Sequence, residues 1–170
     1  MGIKNIHLRE VIMKVTGELG RYAHEPRLCT PASTELLMMT SAQESRLGKY
    51  LKQDDNNPKT LHDGPALGIF QMEPATMEDL FENYLIYNDD MLDAQIMFAK
   101  CVNKENWVIH MMADIPYQIV MARLQYWRQP DALPHAGDIR GLAMYYKKFW
   151  NTPLGAATVE ETIINYGRYC

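Results

Sequence analysis

"TSAQESRLGKY", residues 40–50, puts an acid where the surrounding pattern asks for an apolar side chain. Leu36, Leu37 and Thr40 recur at spacings of three and four, the interval that gathers side chains on one face of an α-helix. The stripe runs on to Glu44 and Leu47, and Gly48 then ends the helix. Thr30 and Pro31 mark the opposite end as N-cap and first helical residue. The stretch reads as a helix that aims a carboxyl at its greasy side, one turn before it stops.

Outward from this helix the same period dominates and sustained alternation is scarce. Leu8, Val11, Ile12, Val15 and Leu19 make a first amphipathic helix that frays near Gly20. Lys49 to Gly64, rich in Asp, Asn, Pro and Gly, reads as a long loop with room for a small hairpin. "PALGIFQM" is a short apolar connector, and Pro74 opens a helix through about Tyr84. Met91–Val102, Pro116–Trp127, Ile139–Trp150 and Val159–Tyr169 supply four more, with a shorter helix expected in "NKENWVIHMMADI". "RQPDALPHAGD" is a Pro/Gly loop before the penultimate helix. Repeats and linkers are absent, so residues 1–170 read as one all-α domain of seven to eight helices with at most a small β element.

A chain of 170 residues with 47% hydrophobic content can bury a real core, and disorder is not expected. The net charge of −4 argues against a dedicated nucleic-acid binder. No apolar run reaches the roughly 18 residues that span a bilayer, so no stable membrane insertion is expected. The charged N-terminal stretch lacks the core of a signal peptide, which predicts synthesis in a cytoplasm without export. Cys29, Cys101 and Cys170 are dispersed and odd in number, as reduced thiols would be. No metal-ligand spacing is present, and neither a metal nor another cofactor is expected.

Burial beside leucines disfavours an ionised Glu44, and so does the negative end of its helix. A neighbouring carboxylate, supplied if the Asp54–Asp55 loop folds back, would add to both effects. The result is a carboxylic acid that keeps its proton near neutral pH and can protonate a poor leaving group. The plainer alternative is an ion pair with Arg46 or Lys49 at the helix end.

Three stretches extend the case: "QES" at 43–45, "GIFQMEPAT" at 68–76 and "FWNTPLGAAT" at 149–158. In this order they resemble the lytic transglycosylase branch of the lysozyme superfamily, whose motifs are a Glu-Ser pair, a Gly-Leu-Met-Gln-like turn and an Ala-Tyr-Asn motif. The resemblance implies a mainly helical lysozyme-like catalytic domain that cleaves bacterial peptidoglycan between N-acetylmuramic acid and N-acetylglucosamine. It makes Glu44 the single general acid and base, and Ser45 the residue that positions the carboxyl or the substrate. It puts Gly68 in the cleft floor, has Gln71 hydrogen-bond substrate or order the cleft, and has Asn151 hold a sugar N-acetyl group or the helix packing around it, with Trp150 nearby. The third motif departs from the family, because Trp150 replaces a tyrosine whose hydroxyl can face the acid. Tyr145 or Tyr146 can supply that hydroxyl instead, although Tyr145 and Phe149, four apart, also read as core. Gln71 has an equally simple alternative as the cap of its own turn.

A hydrolase of the same bond would need a second carboxylate at roughly 5 to 9 Å. Glu73 and Asp54 are the main candidates, although Glu73 also suits the N-terminus of a helix. Asp54 with Thr60 resembles the Glu…Asp…Thr series of T-even-type phage lysozymes, one residue out of step. The expected partners are peptidoglycan glycan strands, with a phage holin for release. The expected setting is a monomeric phage endolysin or virion component acting at the wall in the periplasm. Besides transglycosylation, a hydrolytic muramidase and a non-catalytic wall-binding virion protein remain as readings.

Overall fold

Among the described residues, two helices are buried on nearly every face and six others wrap them. The computed structural model describes residues 2–52, 64–99, 106–152 and 155–170. Its helices are α1 Asn5–Tyr22, α2 Pro31–Ser45, α3 Pro74–Asn83, α4 Asp89–Phe98, α5 Trp107–Ala113, α6 Ile115–Trp127, α7 Ile139–Tyr146 and α8 Val159–Tyr169. The described chain is all-α, and its only β features are isolated bridges from Leu67 to Lys52 and Met72. None of its helices is long and apolar enough to cross a membrane.

The run Leu36–Ala42 in α2 is buried residue by residue, and Tyr117–Tyr126 in α6 likewise. A helix apolar around its whole girth belongs inside. Helices α1, α7 and α8 pack on α2, while α1, α4 and α5 pack on α6. Tyr126 joins the two central helices by hydrogen bond. The Thr40 hydroxyl donates to the Leu36 carbonyl at 2.8 Å and accepts from the Tyr126 hydroxyl at 2.7 Å. Against α1 and α8, Glu35 receives Arg9 and the Tyr166 hydroxyl.

The ends of α2 follow from its sequence. Thr30 and Ser33 form a reciprocal capping box, with Ser33 N–H donating to Thr30 Oγ1 at 3.0 Å and Thr30 N–H to Ser33 Oγ at 2.9 Å. The helix stops at Ser45, earlier than Gly48, because Arg46 (φ 53°), Leu47 (φ 57°) and Gly48 (φ 78°) all turn left-handed. Leu47 is buried and its N–H donates to the Ser41 carbonyl at 3.0 Å. Two non-glycine residues in this conformation cost about 1 kcal/mol or more each. The buried Leu47 side chain offsets part of that cost.

Two other helices also end before the positions expected from periodicity. Helix α4 stops at Phe98 and begins at Asp89, where two acids favour its N-terminus. Helix α7 stops at Tyr146 and continues as a π-turn, Lys147–Asn151. The small hairpin expected within 49–64 falls largely on residues outside those described.

Candidate active site

Glu44 occupies the last turn of α2, partly buried, where the left-handed turn that follows directs the chain away. The Tyr146 hydroxyl, from the end of α7, donates to Glu44 Oε1 at 2.5 Å. Glu44 Oε2 has no hydrogen-bond partner among the described residues, which leaves it for a proton or a ligand. Burial pushes the Glu44 pKa up to about 7; the Tyr146 bond opposes this and the Glu73 charge adds to it. A carboxyl with that acidity is half protonated near neutrality, as a general acid requires. No described residue forms an ion pair with Glu44; Arg46 and Lys49 lie over the Tyr50 ring at 5.6 and 5.2 Å.

Tyr146 is the last residue of α7, and the π-turn Lys147–Asn151 follows it. Burial and the nearby Glu44 charge hold its phenol far above the ordinary range, so it remains a donor. Behind it stands Asn151, whose amide acts on the Tyr146 hydroxyl. Lys147 Nζ donates to Asn151 Oδ1 and to the Gly155 carbonyl, both at 2.7 Å. One lysine therefore clamps the π-turn to the segment that follows it and sets which end of the Asn151 amide faces the tyrosine. A π-turn that re-aims side chains is a frequent companion of functional sites. Replacing Tyr146 with Phe should move the alkaline limb of the pH–activity profile upward, since the lost bond favours the ionised acid. Looser positioning should lower the plateau rate roughly ten- to hundredfold. A pH series of kcat/KM on the variant measures both effects.

Ser45 takes a supporting place rather than one beside the carboxyl. It is fully buried; its hydroxyl donates to the Ile69 carbonyl at 2.6 Å and accepts from Gly48 N–H at 2.8 Å. The serine thus ties the end of the acid's helix to the turn 68–71. Gln118 of α6 holds the other side of that turn, accepting Ile69 N–H at 2.7 Å. Gly68 has φ 74°, and Gln71 has φ 50° with its Nε2 donating to the Gly68 carbonyl at 2.7 Å. Gln71 closes its own turn through nitrogen, and its Oε1 has no partner among the described residues.

Trp150 packs against Tyr126 at 5.1 Å and Phe70 at 6.4 Å between ring centroids, which joins the third motif to the second. Tyr145 is directed elsewhere. Its hydroxyl donates to the Asp131 carbonyl at 3.0 Å, and its ring packs on Phe149 at 4.6 Å. Glu73 is the exposed N-cap residue of α3, and its charge reaches Glu44. Asp54 and Asp55 lie outside the described residues.

No family model, curated protein or solved structure matches this chain. The site therefore rests on its own geometry. Among the described residues, no group of three or more His, Cys, Asp or Glu side chains could hold a metal ion. Three members of the site escaped sequence reasoning. The i,i+4 spacing of Lys147 and Asn151 was a usable signal for the clamp. Gln118 and the Thr40–Tyr126 pair join distant segments and carry no local signal.

Proposed function

We propose that this protein cleaves the β-1,4 bond between N-acetylmuramic acid and N-acetylglucosamine in peptidoglycan, as a lytic transglycosylase. The observation that carries the reading is Glu44: a carboxyl of pKa about 7, held through one oxygen by Tyr146 and, among the described residues, unpartnered at the other. The order of the Glu-Ser, Gly-Ile-Phe-Gln and Trp-Asn stretches supports the sugar substrate.

In this reading Glu44 gives its proton to the bridging oxygen as the anomeric carbon–oxygen bond breaks. The Tyr146 bond favours the carboxylate so formed. The muramyl 6-hydroxyl then attacks the anomeric carbon and returns its proton to Glu44, giving a 1,6-anhydro sugar without water. Gln71 holds a polar group of the substrate through its Oε1, Asn151 supports Tyr146 from behind, and Trp150 backs the cleft wall.

The Glu73 charge acting on Glu44 favours one competing reading, a muramidase in which a second carboxylate guides water. Digestion of purified sacculi followed by mass analysis of the muropeptides separates the two. Transglycosylation yields products lighter by one water than the hydrolytic ones, and products carrying that added water would overturn the proposed chemistry.

A further inference from the structure

Away from Glu44, a groove of about 600 Å³ opens between the start of α2, the end of α6 and the Pro-rich loop 129–136. Trp127, Leu133, Pro134 and Tyr145 are among its apolar walls, and Arg123 and Ala32 line it as well. Arg123 is only 2% exposed, yet no described carboxylate lies within ion-pair distance of it. Its Nε donates to the Leu28 carbonyl at 2.7 Å and its Nη2 to the Arg27 carbonyl at 3.2 Å. Its Cζ also lies 5.1 Å from the Trp127 ring centroid; the ring and the two carbonyls ease the charge, but neither supplies the counter-ion that a buried cation calls for.

The acids nearby are already engaged. Glu25 is gripped by Arg27 through both oxygens, at 2.8 and 2.5 Å, and Asp131 is taken by Lys148 at 2.5 Å. Nη1 of Arg123 has no protein partner among the described residues and is not among the buried unpaired atoms. Arg123 lines the groove, and Nη1 is the side of its guanidinium fork that no described protein atom takes. Burial lowers the Arg123 pKa to about 10, which still leaves it charged at neutral pH.

The start of the 15-residue helix α2 adds a second donor to the same groove. Pro31 has no N–H, Ser33 N–H goes to Thr30 Oγ1 at 3.0 Å and Thr34 N–H to the Thr30 carbonyl at 3.0 Å. Ala32 N–H is left without a partner among the described residues, at the positive end of the helix. We propose that this groove binds a small oxyanion, a carboxylate or phosphate on a short apolar body, through Arg123 Nη1 and the Ala32 amide. Arginine's fork suits either anion, and the rings and aliphatic walls suit the body that carries it. Ala32 precedes Glu44 by twelve residues on one helix, about 18 Å, so the groove is separate from the cleavage site.

The test is a titration of the full chain with inorganic phosphate and, separately, with N-acetylalanine, following the Ala32 amide and Arg123 side-chain signals by NMR. Saturable shifts at both groups are expected. Ala32→Pro removes the amide at a position where a first-turn proline fits, and should weaken binding about tenfold. Arg123→Gln should abolish binding, with the proline variant as the decisive one if loss of the Leu28 bond unfolds the chain. Saturation by both probes marks a site that reads the anion alone, and saturation by N-acetylalanine alone marks a chain-end carboxylate. Non-saturating shifts with both probes, or unchanged affinity in Ala32→Pro, would overturn the proposal.

Discussion

Glu44→Gln should abolish peptidoglycan cleavage and, at alkaline pH, make the protein more stable. A positioned general acid is worth on the order of 10² to 10⁴ in rate, and in the proposed reaction one group serves as both acid and base, so a loss near the upper figure is expected. The amide keeps an oxygen for the Tyr146 hydroxyl, which preserves the local fold. The stability gain follows from linkage. In the unfolded chain Glu44 ionises near its ordinary value of 4.5, while in the folded chain it holds its proton to about 7. Below the lower value the group is protonated in both states and contributes nothing to the pH dependence. Between the two values the folded state binds more protons, so stability falls as pH rises. Above the upper value the penalty is complete, on the order of 2–3 kcal/mol for this partly buried group. The variant should therefore melt higher than the parent at pH above 7 and match it in acid. Calorimetry at both pH values, beside a wall-lysis assay, checks the pair of outcomes. Retained lysis by Glu44→Gln would end the enzyme readings, and unaltered wall binding without lysis in either protein would favour a non-catalytic role.

Gly68→Ala should damage fold and activity together. The residue sits at φ 74°, and a Cβ there would lie 2.3 Å from the Met111 carbonyl oxygen and 2.5 Å from Gln118 Oε1. A left-handed alanine costs roughly 1–2 kcal/mol and overpacking a tight contact roughly 1–3 more. A loss of about 3 kcal/mol corresponds to a melting temperature lower by roughly 10 °C in a chain of this size. Because Gln118 also accepts Ile69 N–H, and Ile69 receives the Ser45 hydroxyl, the displacement should reach the end of α2. Thermal unfolding monitored by circular dichroism gives the first number. Lysis assayed well below the transition shows whether the surviving folded protein is also impaired.

The helix carrying Glu44 was legible because its signals are local. Thr30 and Pro31 start α2 where the capping chemistry requires; Leu36, Leu37 and Thr40 are buried, but in a run buried all round and not on one face, and Leu47 is buried from the left-handed turn beyond the helix. The elevated acidity constant of Glu44 was legible for the same reason, although the described neighbouring carboxylate is Glu73. Other features depend on tertiary contacts. Helix α7 should have continued to Trp150 on periodicity, but it ends at Tyr146, the residue that meets Glu44, and the chain goes on as the π-turn Lys147–Asn151. Choosing between Tyr145 and Tyr146 required knowing which side of α7 faces α2. Adjacent helical positions point about 100° apart, so the sequence allowed either. Ser45 looked like a partner of the carboxyl, and its burial against the Ile69 carbonyl could be found only once the turn 68–71 was placed in space.

The girdle of core around α2 has a further effect on encounters with ligand. A carboxyl on a mobile loop must be frozen into place each time it engages a target, and that loss of freedom subtracts from affinity and rate. Glu44 rises from a backbone immobilised by packing on nearly all sides, and Tyr146 already restrains its side chain. Its ordering entropy is settled once, when the chain folds, so the acid arrives preorganised and association leaves it little to rearrange.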